Sequence, residues 1–483
     1  MRCPPSLPLA SAVAALALLA GGGASATHEP AVTPLNDLGS GTYLGFQGGL
    51  YEGGSNGIPA DHAAAGSTRA AAVRPLDTSG NPSATGKMVL VSIGMSNTTQ
   101  EFCSASSAPP CDSWTFMGQA AADADVNHTS LAIVNGAAGG QSATTWDSSA
   151  DANYDRVRDT RLIPAGLSEQ QVQIVWLKVA NPGPTASLPA ANSDAYSLET
   201  SMGNILRALK TRYPNLQLVF ASSRIYAGYA TTTLNPEPYA YESGFSVKWL
   251  IQAQVDQMRN GGTIVDARAG DLNYSTVAPW VGWGPYPWTD GLNPRSDGLT
   301  WVAADFVSDG THPAQSGREK VGTMLLDFFK ASPLTVCWFL VDTDGDGISD
   351  VCENADGDND GFSDALEQHI GTDPLDNCAN SAIPNNEADD RWGADFYDDQ
   401  NLNIQDFGSF LFPLRPDGSF SRFFHPVPDP EDSNIVRWDL SPSTSINIAD
   451  LNAINPAVLA TTARPPMFNG EPAFARNCTQ LPP

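Results

Sequence analysis

The chain has 483 residues, a formal net charge of −28, 41% hydrophobic and 9% aromatic residues. That length exceeds one ordinary core while the apolar content is globular, so two or three domains are expected. So acidic a chain is a poor binder of nucleic acid and of anionic membranes, and its natural partners are divalent cations.

Residues 1–26 read as an export signal, with Arg2, an apolar stretch over residues 8–20 and an A-x-A cleavage site at Ala24-Ser25-Ala26. No later segment has the ~18 apolar residues of a membrane span, so a secreted or cell-surface protein is expected. Beyond the signal lie Cys103, Cys111, Cys337, Cys352, Cys378 and Cys478. An even number in an exported chain favours disulfides. Short loop closure suggests Cys103–Cys111, Cys352–Cys378 would staple the acidic segment, and Cys337–Cys478 is then left over.

Residues 27–85 are rich in Gly, Ala, Ser and Pro without a clear period and read as a loosely structured lead-in. Short apolar runs then recur at 88–93 (MVLVSI), 131–134 (LAIV), 172–177 (VQIVWL), 216–221 (LQLVFA) and 263–266 (TIVD). Their length and β-branched content read as buried strands. Helical spacing appears over 194–212, 244–259 and 314–330. Strands alternating with helices imply an α/β domain over 86–332, with a parallel sheet covered on both faces. At Cys337 the character changes. Residues 341–378 are acidic and Gly-punctuated, with twelve Asp or Glu between Asp342 and Asp376. Residues 390–460 hold a duplication around a shared N-I-x-D core, and 461–483 read as a tail.

Within 86–332, four strand-end positions carry chemistry. Ser96 follows the first run in Gly94-Met95-Ser96-Asn97, at the rim where parallel sheets bind ligands. A serine needs a base to become a nucleophile. His312 stands in Asp309-Gly310-Thr311-His312-Pro313, three residues after an Asp that could orient it. His128 has no such carboxylate and reads as a surface residue. Asn135-Gly136-Ala137-Ala138-Gly139-Gly140 follows the second run and Asn181 the third; both offer donors for an oxyanion. Arg224-Ile225-Tyr226 follows a strand and is placed to line a pocket. Trp280, Trp283, Trp288 and Trp301 suit either sugar stacking or a loop packed on the core.

The order Ser, Gly, Asn, Asp-x-x-His resembles the SGNH (GDSL-like) hydrolase family over residues 86–332. Ser96 matches the nucleophile, Gly140 (with Gly139 beside it) the glycine of the second block, Asn181 the third block, and Asp309 with His312 the last. Met95 stands where the family has Asp, Lys178 where it has Gly, and Pro182 follows Asn181. The resemblance implies a flavodoxin-like three-layer α/β fold and hydrolysis of carboxylic esters, acetyl or acyl esters of carbohydrates or lipids among them. It also implies an oxyanion hole made by the Ser N–H, the Gly N–H and the Asn side chain.

In the acidic segment, Asp342, Asp344, Asp346, Asp350 and Glu353 occupy positions 1, 3, 5, 9 and 12 of a calcium loop, with Gly347 at 6 and the Ile348 carbonyl at 7. Asp356, Asp358, Asp360, Phe362, Asp364 and Glu367 repeat the pattern. The tandem leaves no room for flanking helices and resembles thrombospondin type 3 repeats, which implies structural Ca²⁺ in place of an apolar core. The duplicated 390–460 region resembles dockerin repeats, with Asp395, Asp399, Asn403 and Asp406 at ligand positions of the first copy; that resemblance implies a cohesin-like partner. The sequence thus reads as a secreted serine ester hydrolase with a calcium-binding docking tail. The alternative is a calcium-dependent surface adhesion or docking protein whose SGNH-like domain is inactive.

Overall fold

Met88–Gly94 (β1) and Val172–Lys178 (β3) are buried at every position, which a strand shows only when both faces of its sheet are covered. The computed structural model describes residues 32–106, 109–342 and 348–353, and the backbone of two short strands, Asn401–Leu402 and Arg476–Asn477. Leu131–Asn135 (β2), Leu218–Ala221 (β4) and Trp280–Trp283 (β5) complete a five-stranded sheet in the order β2-β1-β3-β4-β5. Every neighbouring pair is parallel. This is the doubly wound order with its switch point between β1 and β3, where the crevice at the strands' carboxyl ends takes ligands.

Along each strand alternate residues face opposite layers. Met88, Leu90, Ile174, Trp176, Leu218, Phe220 and Trp280 enter one core. It is closed by the helices Ala60–Ala71 (α1), Ser96–Phe102 (α2), Phe116–Ala122 (α3) and Gln315–Ala331 (α6), through Ala70, Phe102, Phe116, Leu325 and Phe329. Asp194–Arg212 (α4) and Tyr239–Arg259 (α5) pack on each other. The expected three-layer α/β fold is therefore observed, with helices at 194–212, 239–259 and 315–331. No helix among the described residues is long and apolar enough to cross a membrane.

Three expectations need correction. The run 263–266 is not a strand: Ile264 and Val265 lie half exposed after the Gly261-Gly262 turn. Two apolar residues are too few to bury both faces of an inner edge, and the buried Trp280-Val281-Gly282-Trp283 takes that place. The lead-in, from residue 33 on, is an integral layer rather than a loose one. Leu35 is buried and its N–H donates to Tyr286 Oη at 3.1 Å, and α1 lies against β5. The third concerns the disulfides. Cys103–Cys111 forms as expected, but Cys337 pairs with Cys352, 15 residues on, so neither the expected Cys337–Cys478 nor the expected Cys352–Cys378 bridge forms. The short helix Val336–Phe339 and the turn after Ile348 bring them to a Cα separation of 5.2 Å.

The export signal, Cys378, Cys478, most of both C-terminal modules and the expected ligands Asp344, Asp346, Asp356, Asp358, Asp360, Phe362, Asp364, Glu367, Asp395, Asp399, Asn403 and Asp406 lie outside the described residues.

Candidate active site

β1 ends at Gly94, where a side chain would lie 2.1 Å from the Lys178 carbonyl of β3. Only glycine allows that approach. The chain then turns into α2, whose first residue is Ser96. Thr98 Oγ1 fixes the turn, donating to the Lys178 carbonyl at 2.6 Å and accepting from Met95 N–H at 3.2 Å. The Ser96 side chain is thereby held over the switch point.

His312 reaches it from the loop before α6. That loop is shaped by Asp309, whose Oδ1 accepts from the N–H groups of Thr311 and His312 at 2.8 and 2.9 Å. Gly310 makes the turn possible: its φ is 63°, and a Cβ there would meet the Tyr229 carbonyl at 1.8 Å. Asn97, buried beside Ser96, donates to the Thr311 carbonyl at 3.0 Å and ties α2 to the loop.

The result is a chain of three groups. Asp309 Oδ2 lies 2.6 Å from His312 Nδ1, and His312 Nε2 lies 2.8 Å from Ser96 Oγ. A carboxylate only accepts, so Nδ1 carries the imidazole proton and Nε2 is left to accept from the serine hydroxyl. Burial works to raise the Asp309 pKa, but the hydrogen bonds from His312 and Thr311 outweigh it and hold the carboxyl below its usual range. The group that faces Nδ1 is thus a carboxylate.

A cleft of about 260 Å³ opens over Ser96 and His312. Gly140 and Asn181 line it, as do Met95, Arg224 and Asn235. The five positions read from sequence therefore meet, with Asp309 behind His312. Gly140, not Gly139, is the glycine on the cleft wall, and Ala138 N–H donates to the Gly94 carbonyl at 3.2 Å, docking that loop on β1. Asn181 Nδ2 donates to Asp194 Oδ1 at 3.0 Å. Lys178, where the resemblance led to an expected glycine, does not line the cleft: its ammonium turns to Glu101 Oε2 at 2.5 Å. Arg224 lines the cleft as expected. Asn235, Gln141 and Ser142 also line it and carry no sequence signal beyond their loops. The four tryptophans are buried and packed, so the core reading of that cluster holds and the sugar-stacking one does not. His128 is exposed.

Of the expected calcium ligands, Asp342, Ile348, Asp350 and Glu353 are described. Asp342 is buried, with Oδ2 accepting from Ser130 Oγ at 3.0 Å. Asp350 and Glu353 bound a short helix that carries the bridged Cys352.

The family description "Bacterial TSP3 repeat" matches residues 342–357 and 356–377. No curated protein matches the chain. Among solved structures, the chain is similar to a carbohydrate esterase family 2 enzyme with its carbohydrate-binding domain from Corynascus thermopiles (Myceliophthora fergusii). That match has 14% identity, covers 51% of this chain and 67% of that one, and has a TM-score of 0.27. A protein described as a GDSL-like lipase from Parabacteroides merdae ATCC 43184 matches at 10% identity, over 53% of this chain and 97% of its own, with a TM-score of 0.25. With identities and TM-scores this low, the chemistry of the site is read from its own geometry.

Proposed function

We propose that the α/β domain is a serine ester hydrolase in which Ser96 is the nucleophile, His312 its base and Asp309 the group that orients the base. The observation that carries this reading is the unbroken hydrogen-bond chain Ser96–His312–Asp309 at the mouth of a cleft. Ser96 Oγ attacks the ester carbonyl carbon as its proton passes to His312 Nε2. The oxyanion that forms is met by the N–H groups of Ser96 and Gly140 and by the second amide hydrogen of Asn181, the first being held by Asp194. The C–O bond then breaks and the alcohol leaves with the proton from His312. Water, deprotonated by the same imidazole, attacks the acyl-Ser96 carbonyl; the C–Oγ bond breaks as His312 returns the proton to Ser96 Oγ, and the carboxylic acid is released. The modest cleft, of about 260 Å³, suits a short acyl group.

The repeats over 342–377 supply carboxylates and a backbone carbonyl at calcium-loop spacing, a hard-oxygen donor set suited to structural Ca²⁺. The protein acts outside the cytosol, in keeping with the leader and with the two disulfides. The duplicated region at 390–460 would serve as a docking module for a cohesin-like partner.

The test is hydrolysis of a short-chain aryl acetate by the full chain, by Ser96→Ala and by His312→Ala, with and without calcium. Both variants should lose at least ~10³-fold in kcat/KM, the scale of a serine triad. Activity untouched by Ser96→Ala would refute the assignment.

A further inference from the structure

The ester-hydrolase reading leaves the acyl group open, and the walls of the cleft bear on it. Four of the polar side chains that line it offer almost no surface: Asn97, Arg224, Asn235 and Thr311 are each at most 2% exposed. On the Gly140 side, Gln141 Oε1 accepts from Asn153 Nδ2 at 2.7 Å, and Ser142 Oγ lies 3.2 Å from Thr144 Oγ1. Of the lining residues, Gly140, Pro182 and Leu234 alone are exposed, and the two with side chains are apolar. Leu234 is the larger, at 43% exposure. Ala180 and Met95 extend the apolar lining.

A lone exposed leucine is ordinary on a protein surface. Leu234 differs in where it stands and in how its loop is held. Thr231 N–H donates to the Asp309 carbonyl at 2.9 Å, and Thr232 Oγ1 lies 2.7 Å from Thr311 Oγ1, next in sequence to His312. On the other side, Gly183 N–H donates to the Thr233 carbonyl at 3.1 Å, next in sequence to Pro182. The leucine is thus fixed between the loops that carry His312 and Asn181. Fixed apolar surface at this place gains from an apolar part of the substrate. Chemistry says which part. The alcohol departs after the first step, whereas the acyl group stays bonded to Ser96 Oγ until water releases it. A cleft of about 260 Å³ therefore holds the acyl group through both steps and lets the alcohol out.

We propose that Leu234, together with Pro182, is a specificity-determining residue that makes the cleft select short apolar acyl groups longer than acetyl, such as butyryl. The inference rests on the ester-hydrolase reading of the cleft.

An aryl acetate and the butyrate of the same aryl alcohol differ by two methylenes in the acyl group alone and form the test pair. Each rate is divided by that ester's own hydroxide-catalysed rate. A buried methylene is worth roughly fourfold in binding, so kcat/KM of the wild-type full chain for butyrate should exceed that for acetate by ~10-fold. Leu234→Asn, polar and close in size, should lower that ratio at least ~3-fold, and Leu234→Met, apolar and unbranched, should keep it. Leu234 is too exposed for either change to open the core, and circular dichroism checks that both variants are folded. A wild-type ratio near one overturns the proposal, as does a ratio that Leu234→Asn leaves unchanged. A ratio lowered equally by Leu234→Met also overturns it, because the effect then lies in the shape of the loop. Hydrolysis of both esters that depends on Ser96 but shows no butyrate preference sustains the hydrolase reading and overturns the acyl selection. No hydrolysis of either ester overturns both.

Discussion

Lys178 shows how a buried charge can lie next to a site without disturbing it. It ends β3 level with Gly94 of β1, and both it and Glu101 are 0% exposed. Burial pushes the glutamate pKa up and the lysine pKa down, while their mutual attraction opposes both shifts. Removing one partner strands the other charge, which typically costs about 3–5 kcal/mol, whereas replacing both by apolar residues is often neutral. Lys178→Met should therefore lower stability by that amount in urea unfolding, and the Lys178→Met, Glu101→Leu double variant should recover most of it. A double variant no more stable than the single would show that the pair's worth lies in packing alone. At this scale much of the site was legible. Ser96, Gly140, Asn181, Asp309 and His312 each follow a strand-like run or sit in a D-x-x-H spacing, and the parallel sheet gathers such strand ends by construction. Asn235, on the cleft wall at a φ of 56°, has no sequence signature, because its placement depends on how the neighbouring loops fold.

At the scale of elements, α1 was the one most thoroughly hidden. Its sequence ADHAAAGSTRAA holds no large apolar residue, so no stripe announces a core face. It packs instead by smallness. A Cβ on Gly66 would come within 2.9 Å of Trp280, and His62 stacks on the same indole at 4.7 Å between ring centroids. β5 escaped notice for the complementary reason, since WVGW keeps its bulk in two tryptophans, of which Trp280 packs on α1 and Trp283 on Tyr286. His62 is 3% exposed and its Nε2 bonds the Val281 carbonyl at 2.9 Å. Burial lowers its pKa from 6.5 to about 4, against the opposing pull of that carbonyl. The unfolded chain takes up this proton near pH 6.5 and the native chain only near 4. Between those values the unfolded state binds more protons, so stability falls as pH drops through the window and levels off below it. The shift corresponds to about 3 kcal/mol. Urea midpoints between pH 7 and 4 should fall more steeply for the wild type than for His62→Gln, by roughly that difference. Parallel curves would place the acid sensitivity elsewhere.

For the whole molecule, the question is how the acidic repeats are joined to the α/β domain. The join is built rather than slack. Asn127 N–H donates to the Phe339 carbonyl and Val341 N–H to the Asp125 carbonyl. Ser349 N–H and Asp350 N–H return to the carbonyls of Cys337 and Val341. The Cys337–Cys352 bridge closes this clasp, and Ser130 holds Asp342, the first acid of the first repeat. Beyond it, from Glu353 to Asp376, the sequence places Glu353, Asp356, Asp358, Asp360, Asp364, Glu367, Asp373 and Asp376 with few apolar residues between them. Charges packed that closely repel one another unless a cation sits among them. Calcium should therefore protect residues 354–377 from protease, and a chelator should expose them. The clasp and the α/β core, held by disulfide and packing instead, should survive. Limited proteolysis with mass spectrometry, run alongside the aryl acetate assay, checks this. The expected result is chelator-dependent cleavage beyond Glu353 that leaves a fragment ending near the clasp, with esterase activity retained. Activity lost in step with that cleavage would mean that the repeats support the cleft itself, and the division of labour drawn here would fail.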